Sequence, residues 1–225
     1  MRKLNFITNI KEILEDVRIN KNEILQKDTT NIMFVKINSK EDIFKEEFII
    51  RDVALLEKVS KDAEKYEELA DRIIFKKKDA TVDFMKSEAD DAIIPTETLG
   101  KIEELKYDDA VKIILTDDVK KKLTTAIDYG FSETLKIHSD AENIKVSIGG
   151  KEGKHKYSAI LGNSKETFEH TFGTDFLKTI LGCLKGYSEM FVKENYPIKF
   201  ADKAEDYTME IYLAPRSGEW LKCFG

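Results

Sequence analysis

Three stretches near the C-terminal end of the sequence decide the fold: TFGTDFLKTI at residues 171–180, YPIKF at residues 196–200 and IYLAPR at residues 211–216. The first predicts the end of a strand followed by a helix capped by Thr174, because a threonine at this position satisfies free backbone N–H groups. Phe176, Leu177 and Ile180 recur with helical period on one face of that helix. The other two stretches are short, apolar-rich segments that predict strands. A helix lying among antiparallel strands indicates an α+β fold.

The same order of elements occurs in both halves of the chain. The first half predicts helices at 6–18 and 52–63 and strands at 24–25, 32–37, 43–49, 72–75 and 81–85. The second half predicts a helix after Thr116, a helix after Thr174, and strands at 110–115, 134–138, 143–148, 155–161, 166–172, 190–192, 197–200 and 207–213. Asp117 and Asp118 suit the positive end of the helix that follows Thr116. The repetition predicts two similar α+β domains, each with antiparallel sheets and two helices.

A polar stretch separates the two halves. Ser87 to Asp91 is polar, and Pro95 follows two isoleucines, a combination that is incompatible with a helix interior or a central strand. We therefore predict an N-terminal domain at 1–88, an extended connector at 89–106 and a C-terminal domain at 107–225. Apolar residues on this connector either pack onto the domains or serve a partner.

Composition limits the function classes. The 225 residues carry a formal net charge of −6, although 36% of them are charged. An acidic chain is not a general nucleic-acid binder unless its positive charge is segregated. The two cysteines, Cys183 and Cys223, suggest reduced thiols rather than disulfides. The sequence shows neither a signal peptide nor about 20 consecutive apolar residues, so we expect a soluble cytoplasmic protein with no membrane partner.

Positive charge is concentrated on the predicted polar faces of three helices. These cations are Arg51, Lys58, Lys61 and Lys65 at the second helix, Lys120, Lys121 and Lys122 on the third, and Lys178 and Lys185 on the fourth. One interpretation is an ordinary solvated surface. The other is contact with a phosphate backbone, for which lysine is suited because it is a flexible point charge that does not identify bases.

No catalytic constellation is visible. His138, His155 and His170 are far apart in sequence, and the sequence lacks HExxH, GxSxG, P-loop and CxxC patterns. The acidic pairs at 90–91 and 108–109 are more typical of solvated linkers than of a metal site. We expect no enzyme, no cofactor and no metal.

The three stretches quoted first, together with Tyr107 to Ile113 and Thr116 to Lys120, resemble the C-terminal part of proliferating cell nuclear antigen and of the archaeal DNA sliding clamps. The resemblance covers residues 107–217 well and the first half only in outline. The short N-terminal half is similar to the clamps of tailed bacteriophages, which suggests a viral or phage protein.

This resemblance implies a toroidal ring, a homotrimer that encircles duplex DNA as a polymerase processivity factor. It implies the DNA polymerase and the clamp loader as partners. It also implies an exposed groove for a partner peptide, with subunit contacts made by edge strands near 81–86 and 136–138. The positions that match the groove are Ile102, Leu105, Pro197, Tyr212, Ala214 and Pro215. The alternative is a clamp-like scaffold that stays monomeric or joins non-identical subunits without closing a ring.

Overall fold

In the described residues the chain folds into three antiparallel sheets, with three helices in a layer on one side and a fourth helix on the opposite face of the largest sheet. The computed structural model describes residues 10–28, 32–87, 94, 96–150 and 155–216, with only the backbone described at 96–98. The helices are α1 (Val53–Ser60), α2 (Thr96–Glu103), α3 (Asp117–Asp128) and α4 (Thr174–Cys183). Among the described residues, no helix is both long and apolar enough to cross a membrane.

Fifteen strands are described; those at 17–20 and 65–68 were not predicted, and the other thirteen occur in the predicted order. Those of the first half are β1 (Val17–Asn20), β2 (Glu23–Lys27), β3 (Met33–Ser39), β4 (Phe48–Ile50), β5 (Lys65–Glu68), β6 (Arg72–Lys76) and β7 (Thr81–Met85). Those of the second half are β8 (Val111–Ile114), β9 (Thr134–Asp140), β10 (Asn143–Gly149), β11 (Lys156–Asn163), β12 (Thr167–Gly173), β13 (Tyr187–Val192), β14 (Ile198–Lys203) and β15 (Tyr207–Leu213). The prediction of an α+β fold is confirmed.

The two halves share one large sheet. Its eight strands run β4-β1-β2-β3-β15-β14-β13-β8, so β3 of the first half pairs with β15 of the second. The other two sheets have four strands in the order β11-β10-β9-β12 and three in the order β5-β6-β7. Within the described residues, β7 and β11 each have a strand on one side only.

The predicted duplication is visible in the turns and the pairing. Lys21 and Ala141 both have positive φ, 53° and 67°, at the same place in the β1–β2 and β9–β10 hairpins. The unit β4-β1-β2-β3 therefore corresponds to β12-β9-β10-β11. In the same way β5-β6-β7 corresponds to β13-β14-β15, because equivalent turn hydrogen bonds join Lys77 to Ala80 and Ala204 to Tyr207.

The main core lies between the sheets and the helix layer. It includes Leu56 of α1, Leu123 of α3 and Ile180 of α4 together with Val35 and Ile211 of the large sheet. A second, smaller cluster lies on the other face of the large sheet. Since neighbouring residues of a strand point to opposite faces, Phe34 and Tyr212 belong to this second cluster although Val35 and Ile211 belong to the main core.

Some predicted elements differ from the structure. The predicted helix at 6–18 begins outside the described residues, and its last part is wrong, because Val17 and Arg18 lie in β1 and pair with β4. The strand expected at 43–49 is described only at 48–50. The prediction of an extended connector is wrong at 96–103, where the chain forms α2.

The expected cap on α4 is also wrong. Gly173 occupies the N-cap position without a side-chain hydrogen bond, and Thr174 is the first helical residue. The Thr174 hydroxyl donates instead to the carbonyl of Glu133 at 3.2 Å. The cap predicted at Thr116 is correct, since its hydroxyl accepts from the backbone N–H of Val119 at 3.3 Å.

Candidate functional site: the two faces of the sheets

The predicted functional residues lie on two faces separated by the sheets. Most of the cations lie on or next to α1, α3 and α4, on the side of the main core. The predicted groove residues lie in or beside the smaller cluster, on the opposite side of the large sheet. We call the first surface the helix face and the second the connector face.

The helix face carries five exposed lysines, namely Lys58, Lys61, Lys121, Lys178 and Lys185. Opposite-charge partners are present beside some of the cations. The Lys178 ammonium lies 3.1 Å from the Asp128 carboxylate, which bridges α4 and α3, and Lys122 lies 2.6 Å from Asp118 one turn earlier in α3. Ion pairs this exposed are weak, and a competing phosphate would break them at little cost.

Lys120 is committed to the interior instead. Its ammonium is half-buried and donates to the carbonyl of Leu184 at 3.4 Å and to the hydroxyl of Ser188 at 3.3 Å. These bonds connect the start of α3 to the turn after α4. Lys120 therefore positions this turn, whereas its neighbour Lys121 is exposed.

A buried carboxylate holds the turn that presents Lys185. Asp202 is 1% exposed and accepts from the backbone N–H of Lys185 at 3.2 Å, the N–H of Gly186 at 3.0 Å and the hydroxyl of Ser188 at 2.6 Å. Position 186 requires glycine, because a Cβ there would lie 2.2 Å from the carbonyl oxygen of Lys203. The backbone at Lys185 is thereby fixed while its side chain stays exposed.

Four of the predicted cations lie outside the helices: Lys61 and Lys185 closely follow a helix end, Arg51 precedes a helix, and Lys65 lies in a strand. The chain leaves α1 at Lys61 and turns through Asp62, which has φ 61°, so Lys65 begins strand β5. Lys65 alternates along β5 with Tyr66, which packs against the main core, and it therefore lies on the face away from the core. The placement of Lys65 on the helix face is wrong. Arg51 lies just before α1, exposed, with a guanidinium nitrogen 3.6 Å from Asp16.

The connector face brings the predicted groove residues together. Ile102 of α2 packs in one cluster with Tyr212 and Ala214 at the end of β15, and Leu105 packs at its margin. Pro197 and Pro215 are buried. The expectation of an exposed groove does not hold in this structure, because Tyr212 is only 6% and Ala214 only 2% exposed under the connector.

Two residues of this face were missed by the sequence analysis. Phe34 packs in the cluster and Tyr107 beside it, whereas Ile94 is one of the connector's apolar residues that were expected to pack onto the domains or to serve a partner. A signal for Phe34 was present, because it is an aromatic residue between inward-facing Met33 and Val35 and must therefore point to the other face of its strand.

A lysine surrounded by aromatic rings borders the connector face. The Lys199 ammonium lies 2.5 Å from the Glu210 carboxylate and 5.5–5.8 Å from the ring centroids of Tyr107, Phe191 and Tyr212. Such positions over aromatic faces are attractive for a cation. Sequence reasoning did not identify this arrangement, since its members come from four separate elements.

Two tyrosine hydroxyls orient the rings of this group. Tyr107 donates to the carbonyl of Pro197 at 2.8 Å, and Tyr212 donates to Glu210 at 2.9 Å. Burial raises the pKa of both tyrosines far above the usual value, so both remain neutral donors. Within the described residues, no group of three or more histidine, cysteine, aspartate or glutamate side chains is arranged to hold a metal ion.

Comparison of the sequence with protein-family models and with curated proteins finds no match. Solved structures do match. The PCNA of A. fulgidus, bound to the C-terminal region of FEN-1, has a TM-score of 0.69 and 17% identity over 96% of this chain and 95% of that chain. The Proliferating Cellular Nuclear Antigen of Entamoeba histolytica has a TM-score of 0.70 and 14% identity over 96% and 95%.

A third match is the PCNA2–PCNA3 complex of Sulfolobus tokodaii, with a TM-score of 0.68 and 15% identity over 96% of this chain and 95% of that chain. All three alignments cover nearly the whole of both chains, so the likeness extends over both halves and their junction. At these identities it is a likeness of structure: the chain has the fold of the PCNA sliding clamps.

Proposed function

We propose that this chain is a subunit of a ring-shaped sliding clamp, a non-enzymatic processivity factor that encircles duplex DNA and tethers a DNA polymerase. The observation that carries the proposal is the repeated junction. Inside the chain, β3 of one unit is completed by β15 of the other. The equivalent strands, β11 and β7, have no such partner among the described residues.

Unpaired strand edges are usually covered or closed. The internal junction supplies a template for closure, because β11 corresponds to β3 and β7 corresponds to β15. A second copy of the chain can therefore pair its β7 with β11 of the first. Such a contact is head-to-tail, and a head-to-tail contact repeated through copies gives a ring when the rotation closes.

The template also supplies a register. Within the chain, Tyr212 pairs with Phe34 and Glu210 pairs with Lys36. Met85 and Asp83 of β7 take the places of Tyr212 and Glu210, and Ser158 and Ile160 of β11 take those of Phe34 and Lys36. In the proposed junction Met85 therefore lies opposite Ser158, and Asp83 lies opposite Ile160. Leu161 stands at the irregularity in the β10–β11 pairing and takes no partner from β10.

The side chains at the edges agree with this register. Met85 and Ile160 are 56% and 49% exposed, unusual values for large apolar residues, and the proposed pairing places them diagonally on the same face. On the other face, Phe84 and Ala159 both pack against the main core and become neighbours. If the pairing register between β7 and β11 shifted by one residue, Met85 and Ile160 would no longer lie on the same face. The predicted edge at 136–138 is wrong, because β9 is paired on both sides.

In the ring the helix face would line the channel. Five exposed lysines on this face, in a chain of net charge −6, provide the segregated positive charge that an acidic DNA-binding protein needs. Lysine–phosphate contacts do not depend on sequence and are individually weak, which allows sliding. By analogy with the PCNA clamps that the sequence resembles, the closed ring has three subunits. The connector face, on the other side of the sheets, serves the polymerase and the clamp loader.

The alternative is a hetero-oligomer of non-identical subunits. The Sulfolobus tokodaii structure, a complex of PCNA2 with PCNA3, is the observation that favours it. In that case the purified chain alone would stay monomeric.

Two measurements test the proposal. Light scattering after size-exclusion chromatography should give three times the 25.9 kDa subunit mass. Ring retention on nicked circular DNA should be lost when the DNA is linearised, because a ring slides off free ends. A monomer at micromolar concentration supports the hetero-oligomer, and equal retention on circular and linear DNA would contradict encirclement.

A further inference from the structure

Helix α2 packs onto the connector face as a ligand helix would. Leu99 and Ile102, three residues apart, project to one side of α2, and Ile94 and Leu105 continue the apolar side before and after it. These side chains contact the cluster that contains Phe34 and Tyr212. An amphipathic helix that lays its apolar residues into a groove is a common way to recognise a peptide.

The attachment of α2 is local. The buried residues of its cluster are separate from those of the main core, although the half-buried Ile32 packs against both. The helix has eight residues, fewer than an isolated helix needs to be stable in water. Gly100 lies in its middle and is the least favourable helical residue apart from proline.

The contact between α2 and the large sheet is open to solvent at one margin. A surface pocket of about 150 Å³ lies there, lined by Arg18, Asn20, Glu23, Leu25, Ile94 and Leu99. Leu25 and Leu99 are only half-buried. Solvent therefore reaches the edge of this apolar contact, and few buried apolar contacts at such a site mean a low free energy of local opening.

We infer that α2 is an internal occupant of the partner groove, which must leave the Phe34–Tyr212–Ala214 surface before a partner peptide can bind there. The inference rests on the partner role given to the connector face under the proposed function. Partner affinity is then reduced by the fraction of molecules in which α2 is docked. A change that stabilises α2 weakens partner binding without touching the groove.

Two glycines provide a matched test. A Cβ added at Gly100 in α2, or at Gly182 in α4, would meet no atom of the described residues within 4 Å. Alanine at either position therefore stabilises its helix by a similar free energy, which raises the equilibrium constant for helix formation about fivefold. Only Gly100 lies in the connector.

The first experiment needs no partner. Hydrogen exchange is followed at the amides of Glu104 and Leu105, which donate to the carbonyls of Gly100 and Ile102. Gly100→Ala should slow exchange at both amides about fivefold, and Gly182→Ala should leave it unchanged. If the two amides exchange only together with core amides such as that of Ile211, α2 does not open by itself and the inference is wrong.

The second experiment titrates a fluorescein-labelled peptide of the C-terminal region of FEN-1, the segment bound in the A. fulgidus PCNA structure. Gly100→Ala should bind about fivefold more weakly than the unmodified chain and Gly182→Ala equally well. Equal binding by all three leaves the partner role intact and overturns the inference alone. Binding by none of them, with α2 opening locally, removes the partner role of this face and the inference with it.

Discussion

The outer faces of β1–β3 and β9–β11 are the same piece of fold with different side chains. Leu25 and Phe34 on the first correspond to Lys145 and Ser158 on the second, as the equivalent hairpins and registers show. The first face is covered by α2, and the second leaves a wide polar depression that includes His138 and Ser147. The difference shows that one backbone unit can carry an apolar, covered face or a polar, open face, according to the residues at a few outward positions.

The edges of the same two units differ in a second way. β3 is completed by β15 of its own chain, and β11 has no equivalent neighbour among the residues described. One junction is made within the chain, and under the proposed function the other is made by assembly between copies. If the second junction and the second face follow the chemistry of the first, substitutions at their outward residues have distinct and measurable effects.

The largest effect is expected at Ile160. Ile160→Glu would place a carboxylate opposite Asp83 of the next copy and remove apolar burial. We expect about tenfold weaker pairing at each junction and so about a thousandfold weaker closure of a three-subunit ring. Light scattering measures the mass against concentration.

Ile160→Lys is the matched control, because it has the same exposed position but faces Asp83 with the opposite charge. It should assemble better than Ile160→Glu. Equal behaviour of the two variants, whether both assemble or neither does, would contradict the register transferred from β3 and β15.

The next effect concerns the helix face. Replacing Lys58, Lys61, Lys121, Lys178 and Lys185 with alanine should reduce the slope of log affinity against log salt by about 0.9 for each phosphate that is no longer neutralised. Retention on circular DNA and polymerase processivity should fall accordingly. The fold should persist, because exposed substitutions change stability by no more than about 0.5 kcal/mol each.

A second quintuple variant controls for net charge. It replaces Lys40, Lys45, Lys65, Lys78 and Lys165, all of them exposed and none on a helix. It should retain most of the DNA affinity. If both quintuple variants lose DNA affinity equally, only the overall charge matters and the helix face has no special role.

A smaller effect is expected from exchanging the chemistry of the two outer faces. Leu25→Lys copies the second face onto the first and should destabilise the docked connector by about 1–2 kcal/mol, because it removes a half-buried leucine from the α2 cluster. Faster hydrogen exchange at Glu104 and Leu105 would reveal this destabilisation. Lys145→Leu, the reciprocal change on the second face, should leave hydrogen exchange at these amides unaffected. If Lys145→Leu also accelerates exchange at Glu104 and Leu105, the two faces are not independent.

The smallest effect is the pH response of His170. This side chain is 6% exposed, with Nε2 3.0 Å from the carbonyl of Lys193, and burial lowers its pKa below the ordinary value of 6.5. The unfolded chain then takes up a proton at higher pH than the folded chain. The contribution to stability is complete above pH 6.5 and is lost as the pH falls from there through the lowered folded pKa.

Urea unfolding at pH 7.5 and at pH 5.5 measures this response. His170→Gln should lose less stability between the two pH values than the unmodified chain. His138 is a weaker contributor, since it is more exposed although its pKa is also lowered, chiefly by desolvation. An unchanged pH response in His170→Gln would assign the effect to other groups.

Local pattern was sufficient for much of this fold. Thr116 and the two aspartates after it determined where α3 begins, and the apolar period of Val119, Leu123 and Ala126 determined its buried face. The lysines opposite that face followed from the same geometry. Such features depend on neighbours three or four residues away, which the sequence displays directly.

Other features depended on distant residues. Val17 and Arg18 continue a helical pattern but pair with Ile50 and Ile49, and those backbone hydrogen bonds outweigh a weak local preference. Lys65 was misplaced because the turn at Asp62 ends α1.

The sequence by itself determined the order of most elements, the two similar halves and the concentration of lysines on and next to three helices. Only the tertiary structure decided which strands are edges, that the connector is helical, and that it covers the surface of Tyr212 and Ala214. The reason is that strand edges and docked helices are settled by contacts between residues far apart in the chain, such as Phe34 with Tyr212. Those contacts leave no period in the sequence, because either partner alone looks like an ordinary strand residue.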